Sequence, residues 1–273
     1  MRLGVVPYLN VAPIVHGLLT DASVELVRDV PSHLLDRLLA GEIQAATLPS
    51  IDYARAPEPL EIVPGIAIAS RGPVRSVRLI HPAPVEQIRR VALDESSHTS
   101  AALLRILLRE RLGRDPEYVT RPPELPAMLE EADAALLIGD PALFAGDDRP
   151  SLDLGREWTD LSGAPMVWAF WAAPPGALSG ADVARLQASL GTGLEALPAI
   201  AASYNSPAAM ELTRPTAGPP RAPLVAAFES YLRDNVLYRL GEDEIRGLLE
   251  YYRRAHGLGL IERVPELRFH GDS

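Results

Sequence analysis

The chain predicts an α/β fold of two lobes around a central cleft, completed by a helical C-terminal segment. Three observations carry that expectation. Apolar runs alternate with helical patterns through the first eighty residues, the alternation restarts near Pro84, and from about Gly180 the pattern is nearly all helical. Such alternation is the sequence form of α/β layering, with strands buried beneath helices. A length of 273 residues is ample for two lobes with real cores.

Each element has its own signal. Leu3–Val6 is an apolar run ending in Pro7-Tyr8-Leu9-Asn10, and a helix over Pro13–Leu19 follows. A buried strand thus delivers polar groups to the carboxyl edge of a sheet, where small ligands bind in open α/β sheets. Ser23–Val30 reads as a strand and Pro31–Ala40 as a helix with Leu34, Leu35, Leu38 and Leu39 as its stripe and Gly41 as its stop. Ile43–Leu48 is a buried strand ending in Pro49-Ser50, before a helical turn opened by Asp52-Tyr53. Glu61–Ser70 and Val74–His81 are strands split by the turn signal Arg71-Gly72-Pro73. In the second cycle Val85–Arg89 is a short helix, Arg90–Leu93 a strand, and Ser97–Leu112 an amphipathic helix closed by Gly113. Glu117–Thr120 is a strand, Leu125–Ala132 a helix, and Ala134–Ile138 a strand ending at Gly139-Asp140-Pro141. After an irregular stretch Pro165–Ala172 is the last strand, and Ala181–Ala202, Ala222–Leu232 and Glu242–His256 are helices. The expected lobes are residues 1–82 plus 178–273 and residues 83–177, with crossings near 80–86 and 172–180. Two crossings make a hinge beside a ligand cleft, the plan of type II periplasmic-binding-protein-like folds.

Composition narrows the function. An apolar fraction of 47% with 23% charged residues is ordinary for a soluble globular protein, and no run approaches the length needed to span a bilayer. The absence of cysteine excludes disulfides, thiolate metal sites and a cysteine nucleophile. A net charge of −10 without a basic block argues against nucleic acid as a partner. The six histidines show no metal-ligand spacing, which argues against a zinc site, neither a phosphate-binding loop nor a dinucleotide fingerprint supports nucleotide binding, and no Gly-x-Ser-x-Gly elbow supports a serine hydrolase. With neither a basic n-region nor an apolar h-region at Met1, the expected location is the cytoplasm. The C-terminal helices, with Tyr231, Tyr238, Leu248, Tyr251 and Tyr252, are expected to pack on their own lobe in a monomer or homodimer.

The strongest chemical signal is Ser96-Ser97-His98-Thr99-Ser100, between a strand end and a helix start. Free N–H groups and the helix dipole there suit a carboxylate or phosphate. Ser96 or Ser97 alone can also serve as an N-cap, although four hydroxyls in five residues exceed what capping needs. Gly139-Asp140 repeats the pattern, with Asp140 as either an N-cap or an acid/base group. Tyr8, Asn10, Ser50 and Ser70 lie at strand edges. The Asn10 amide can both donate and accept, unless it caps the helix beginning at Ala12. Ser76 sits within an apolar strand, where its hydroxyl must find a neighbouring carbonyl or a ligand. Trp158, Trp168 and Trp171 are expected in the core and cleft wall, with Trp158 able to shield a ligand.

Several segments in this order resemble the chorismate dehydratase family of the futalosine route to menaquinone. They are Val6-Pro7-Tyr8-Leu9-Asn10-Val11-Ala12-Pro13, Leu48-Pro49-Ser50-Ile51-Asp52-Tyr53, Ser70 to Val77, Leu93 to Ser100, Leu137 to Leu143, and Asp153 through Trp158 to Pro165. The resemblance covers nearly the whole chain. It implies the bilobal binding-protein fold, no cofactor, and a hydro-lyase reaction in which chorismate loses water to give 3-[(1-carboxyvinyl)oxy]benzoate. The sister enzyme, 1,4-dihydroxy-6-naphthoate synthase, shares the fold but begins with a Ser-Pro-Cys-Pro-Asn-Asp-like motif. Here Tyr8-Leu9-Asn10 and the lack of cysteine favour the dehydratase. A non-catalytic binding protein for a small carboxylate is the other reading of such a cleft. His98 departs from the family pattern, where Arg or another polar residue is expected.

Under that resemblance Asn10, Ser76 and Asp140 are the expected catalytic residues. Tyr8, Ser50, Ser70, Ser96, Ser97, His98, Thr99, Ser100 and Gly139 are the expected binding residues. Ser97, Thr99, Ser100 and the helix amides would hold one carboxylate. Asn10, Ser50 and Ser76 would hold the other end and the leaving hydroxyl. The base is either the substrate's own side-chain carboxylate, Asp140 or His98.

Overall fold

A computed structural model describes residues 1–146, 149–204 and 221–271, with the side chains of 221–223 not described. Among the described residues ten strands form two five-stranded sheets. The first is ordered β2-β1-β3-β10-β4, from β1 (Arg2–Val5), β2 (Glu25–Arg28), β3 (Ala45–Pro49), β4 (Glu61–Ser70) and β10 (Met166–Ala173). The second is ordered β7-β6-β8-β5-β9, from β5 (Val77–Ile80), β6 (Arg90–Asp94), β7 (Glu117–Arg121), β8 (Ala134–Ile138) and β9 (Ser151–Asp153). In each sheet three strands run parallel, β1 with β2 and β3 and β6 with β7 and β8. One strand in each runs antiparallel to its neighbours, β10 between β3 and β4, and β5 between β8 and β9. The inner strands β3 and β8 are buried at every residue, which is why they read as continuous apolar runs.

The strand order moves the expected lobe boundaries. β5 belongs to the second sheet and β10 to the first, so the chain crosses at residues 71–76 and 163–165, one strand earlier than the expected 82/83 and 177/178 boundaries. Apolar pattern marks a strand but does not say which sheet accepts it. At the first crossing Arg75 has φ +63°, and its N–H and that of Val74 donate to the Asp153 carboxylate at 2.6 and 2.9 Å.

The irregular stretch expected before Pro165 contains β9 and a helix, Leu154–Ser162. Asp153 caps that helix by accepting from Gly155 and Arg156, and Trp158 is fully buried one turn inside it. The expected helix Pro13–Leu19 is instead a four-residue α turn, Ala12–Val15, between two 3₁₀ turns. Ala181–Ala202 divides into Gly180–Glu195 and Leu197–Ser203, the break falling just before Pro198, whose ring cannot continue a helix. Tyr231, Tyr238, Leu248, Tyr251 and Tyr252 are all buried within the chain. Among the described residues no helix is long and apolar enough to cross a membrane.

Candidate functional site

A cleft opens between the two sheets. Tyr8 and Asn10 enter it from the loop after β1, Thr47 and Pro49 from β3, Ile68 from β4, and Trp168 and Ala169 from β10. The opposite wall is Ser76 and Val77 at the first crossing, Ser96 and His98 to Ser100 before and within the helix α4 (Thr99–Leu112), and Ile138 and Gly139 at the end of β8. Strand ends and helix starts from both sheets therefore converge on one space, as sheet-edge ligand sites do.

The loop after β1 is held by the second lobe. The Tyr8 hydroxyl lies 3.3 Å from Ser96 Oγ, and Ser96 donates its own proton to Asp94 at 2.6 Å. Burial pushes Tyr8 up to about 12 and raises Asp94, so the phenol stays protonated in the cleft. Leu9 N–H donates to Asp140 at 3.0 Å, and the Tyr204 hydroxyl donates to the other Asp140 oxygen at 2.5 Å. Gly139, at φ +62°, lies under the Tyr8 ring, where a Cβ would stand 2.8 Å from three ring atoms. Gly139→Ala is therefore expected to lower stability by about 2 kcal/mol, through left-handed strain and overpacking. Tyr8 would be displaced as well, which calorimetry of the variant and its ligand affinity would reveal.

Two expected capping roles are absent. The α turn at Ala12 has no side-chain cap, and Asn10 Oδ1 is buried with no partner among the described residues. α4 likewise has no side-chain cap, and Ser97 Oγ is buried and unpartnered on the same terms. Buried polar atoms are normally satisfied, and Asn10, unlike Ser97, stands on the cleft wall where a ligand would meet its acceptor. Thr99 Oγ1 accepts from Ile51 N–H at 3.2 Å, which leaves its own proton available, and Ser100 lines the cleft directly. His98 Nδ1 sits 2.8 Å from both oxygens of the buried Asp52. A carboxylate only accepts, so Nδ1 carries the proton and Nε2 is the nitrogen left for the cleft.

Ser50 and Ser70 do not line the cleft. The Ser50 hydroxyl donates to Val167 O at 2.6 Å, and Ser70 accepts from Trp168 Nε1 at 3.0 Å, which fixes a cleft-wall residue. Trp158 lies in the core, its Nε1 donating to Pro165 O at 3.1 Å. The Ser76 hydroxyl meets Tyr231 OH at 2.8 Å. Sequence reasoning missed Thr47, Ile68, Asp52 and Tyr231 as site or support residues. Only Asp52 carried a usable signal, an acidic residue in the first turn of the helix Ser50–Arg55 that follows a buried strand. Among the described residues no group of three or more His, Asp or Glu side chains converges as a metal cage would require.

Residues 1–257 match a family model described as menaquinone biosynthesis. The chorismate dehydratase of Thermus thermophilus is 33% identical over 189 residues, which are 62% of this chain and 68% of that protein. Protein AF1704 from Archaeoglobus fulgidus superposes with a TM-score of 0.73 at 22% identity, covering 95% of this chain and 98% of that one. The periplasmic aliphatic sulphonate binding protein SsuA of Escherichia coli gives a TM-score of 0.63 at 19% identity, covering 97% and 94%. These two likenesses establish the fold, two α/β lobes of the periplasmic-binding-protein kind. The match over 257 of 273 residues places the chain in the menaquinone-biosynthesis family.

Proposed function

We propose that this protein is a chorismate dehydratase, a carbon–oxygen hydro-lyase that removes water from chorismate to give 3-[(1-carboxyvinyl)oxy]benzoate. The observation that carries the reading is the likeness to the Thermus thermophilus chorismate dehydratase. The cleft supports it by offering polar groups suited to two carboxylates and one hydroxyl. The start of α4 receives one carboxylate through the Thr99 and Ser100 hydroxyls and the helix amides, with His98 beside them. Asn10 and Ser76 face the leaving hydroxyl. Tyr8, Gly139 and Trp168 exclude water around the ring.

The reaction needs little covalent help. The proton leaves C3, which is vinylogously acidic to the ring carboxylate, and the negative charge develops on that carboxylate. The electron pair then expels the C4 hydroxyl, which leaves as water with the abstracted proton, and the ring becomes aromatic. We assign the proton acceptor to the substrate's own side-chain carboxylate. Asp140 is engaged by Leu9 N–H and the Tyr204 hydroxyl, so it ties the catalytic loop to the second lobe. Ser50 and Ser70, whose hydroxyls meet Val167 and Trp168, support the wall. A biosynthetic reaction on a free metabolite points to the cytoplasm.

The test is incubation of the purified protein with chorismate, following product mass and aromatic absorbance against a heat-inactivated control. A product lighter by one water is expected. Chorismate that persists where the Thermus thermophilus enzyme converts it would overturn the reading. Persistence together with tight, stabilising binding would instead identify a binding protein.

A further inference from the structure

Tyr231 comes from the C-terminal part of the chain, in the turn Tyr231–Asn235 that follows the helix Arg221–Ser230. It is 1% exposed, and its hydroxyl lies 2.8 Å from Ser76 Oγ. Burial holds the phenol far above its ordinary range, so it remains a neutral donor. Its surroundings are rigid: Ser76 N–H is bonded to Val74 O, Ser76 O accepts from Gly139 N–H, and Asn235 Nδ2 donates to Pro73 O at 2.9 Å.

The proton count determines what reaches the cleft. A phenol and a serine hydroxyl each carry one proton, and an amide nitrogen carries two. With Tyr231 donating to Ser76 Oγ, the serine proton must turn elsewhere. On the same cleft the Asn10 Oδ1, an acceptor, is buried without a partner among the described residues. We propose that Tyr231 is a positioning residue that sets the polarity of Ser76, so that Ser76 presents a donor to the substrate beside the Asn10 acceptor. An alcohol, which donates once and accepts, matches that pair, whereas a carboxylate would face the Asn10 oxygen with no proton to offer. This corner therefore selects the departing hydroxyl and leaves the carboxylate to the start of α4. The inference rests on the chorismate dehydratase reading.

The test combines Tyr231→Phe, Ser76→Ala and the double variant with Tyr238→Phe as a control. Tyr238 is a second buried tyrosine of the same segment, and its hydroxyl has no partner among the described residues. Tyr231→Phe is expected to lower kcat on the order of tenfold or more with KM changed by less than about threefold. In the Ser76→Ala background the same substitution should add less than about twofold, because the two act through one contact. Tyr238→Phe should leave kcat unchanged. Wild-type kcat in Tyr231→Phe, or full additivity with Ser76→Ala, would overturn the positioning role. A second measurement needs no variant: 4-deoxychorismate should bind the unaltered protein on the order of 10²-fold more weakly than chorismate, because its missing hydroxyl leaves Oδ1 unpaired. Equal binding would overturn the polarity assignment. Failure of the unaltered protein to convert chorismate would overturn both the functional reading and this inference, an outcome distinct from all the others.

Discussion

Asn10→Ala is expected to lower kcat for chorismate by about 10²-fold, roughly 2.7 kcal/mol of transition-state stabilisation, while thermal stability stays level or rises. The two halves of that expectation come from one observation. Asn10 Oδ1 is buried and has no protein partner among the described residues, so folding desolvates it without a hydrogen bond from the chain in return. Removing it relieves that cost, so stability has no reason to fall. Catalysis has no such offset. Without the amide the hydroxyl is no longer held with its C4–O bond aligned to the electron pair released at C3, so kcat and kcat/KM should fall together. A residue kept for packing would behave in reverse, losing stability first. Steady-state kinetics and a thermal melt on one preparation separate the cases. A kcat within threefold of wild type, or a loss of activity that only tracks a loss of stability, would remove Asn10 from the reaction.

The fold was legible wherever burial alone decides an element. β8 was expected at Ala134–Ile138 and is found there, because a strand covered on both faces reads as an unbroken apolar run between turn residues, and β4 is found at the expected Glu61–Ser70, although Pro64 and Gly65 interrupt its burial. The helix Pro31–Leu39 follows from its leucines, of which Leu34 and Leu38 are buried while Leu39 is exposed. What escaped were β9, only three residues long at a sheet edge, and the helix after it, whose cap at Asp153 also serves Val74 and Arg75 across the hinge. The lobe boundaries escaped for a different reason. Sheet membership is set by pairing between distant strands, and nothing local in Val77–Ile80 says that it will join β8 rather than β4.

The site shows the same division. Ser96, His98, Thr99 and Ser100 about the start of α4 and Asn10 at the first strand edge were legible, because strand ends facing helix starts form sites by local geometry, and all line the cleft, whereas Ser97 is buried behind them. Ser50 and Ser70 looked equivalent to Ser76 in sequence, yet only Ser76 lines it. The register of β10 decides this, bringing Val167 O within reach of Ser50 and the Trp168 indole within reach of Ser70. The partners of Ser76 and His98 stand 155 and 46 residues away, so no motif could disclose them. The pairing of Tyr231 with Ser76 is what draws the C-terminal segment into the site.

The C-terminal helix Glu242–Gly257 makes a second connection of this kind, and one glycine tests it. This helix crosses both lobes: Tyr252 OH donates to Ser50 O at 2.6 Å at the start of one cleft helix, and Tyr251 OH donates to Thr99 O at 3.0 Å at the start of the other. Between them and the hinge, Gly247 lies against the second crossing, where a Cβ would stand 2.1 Å from Pro165 O. Gly247→Ala therefore sets two effects against each other. In a helix interior alanine is favoured over glycine by about 1 kcal/mol. Against that, the added carbon meets a backbone carbonyl that cannot turn aside as a side chain can, so the helix and the crossing must separate. Overpacking costs about 1–3 kcal/mol where side chains can adjust, and a backbone clash lies at or beyond the upper end. The clash wins, with a net loss of about 2–3 kcal/mol and a fall in Tm on the order of 5–10 °C for a chain of this size. Activity should fall further than stability, because the displaced helix carries the hydroxyls that seat Ser50 and Thr99. An unchanged or raised Tm would show that the helix does not rest on the crossing, and the hinge would then be free of its C-terminal support.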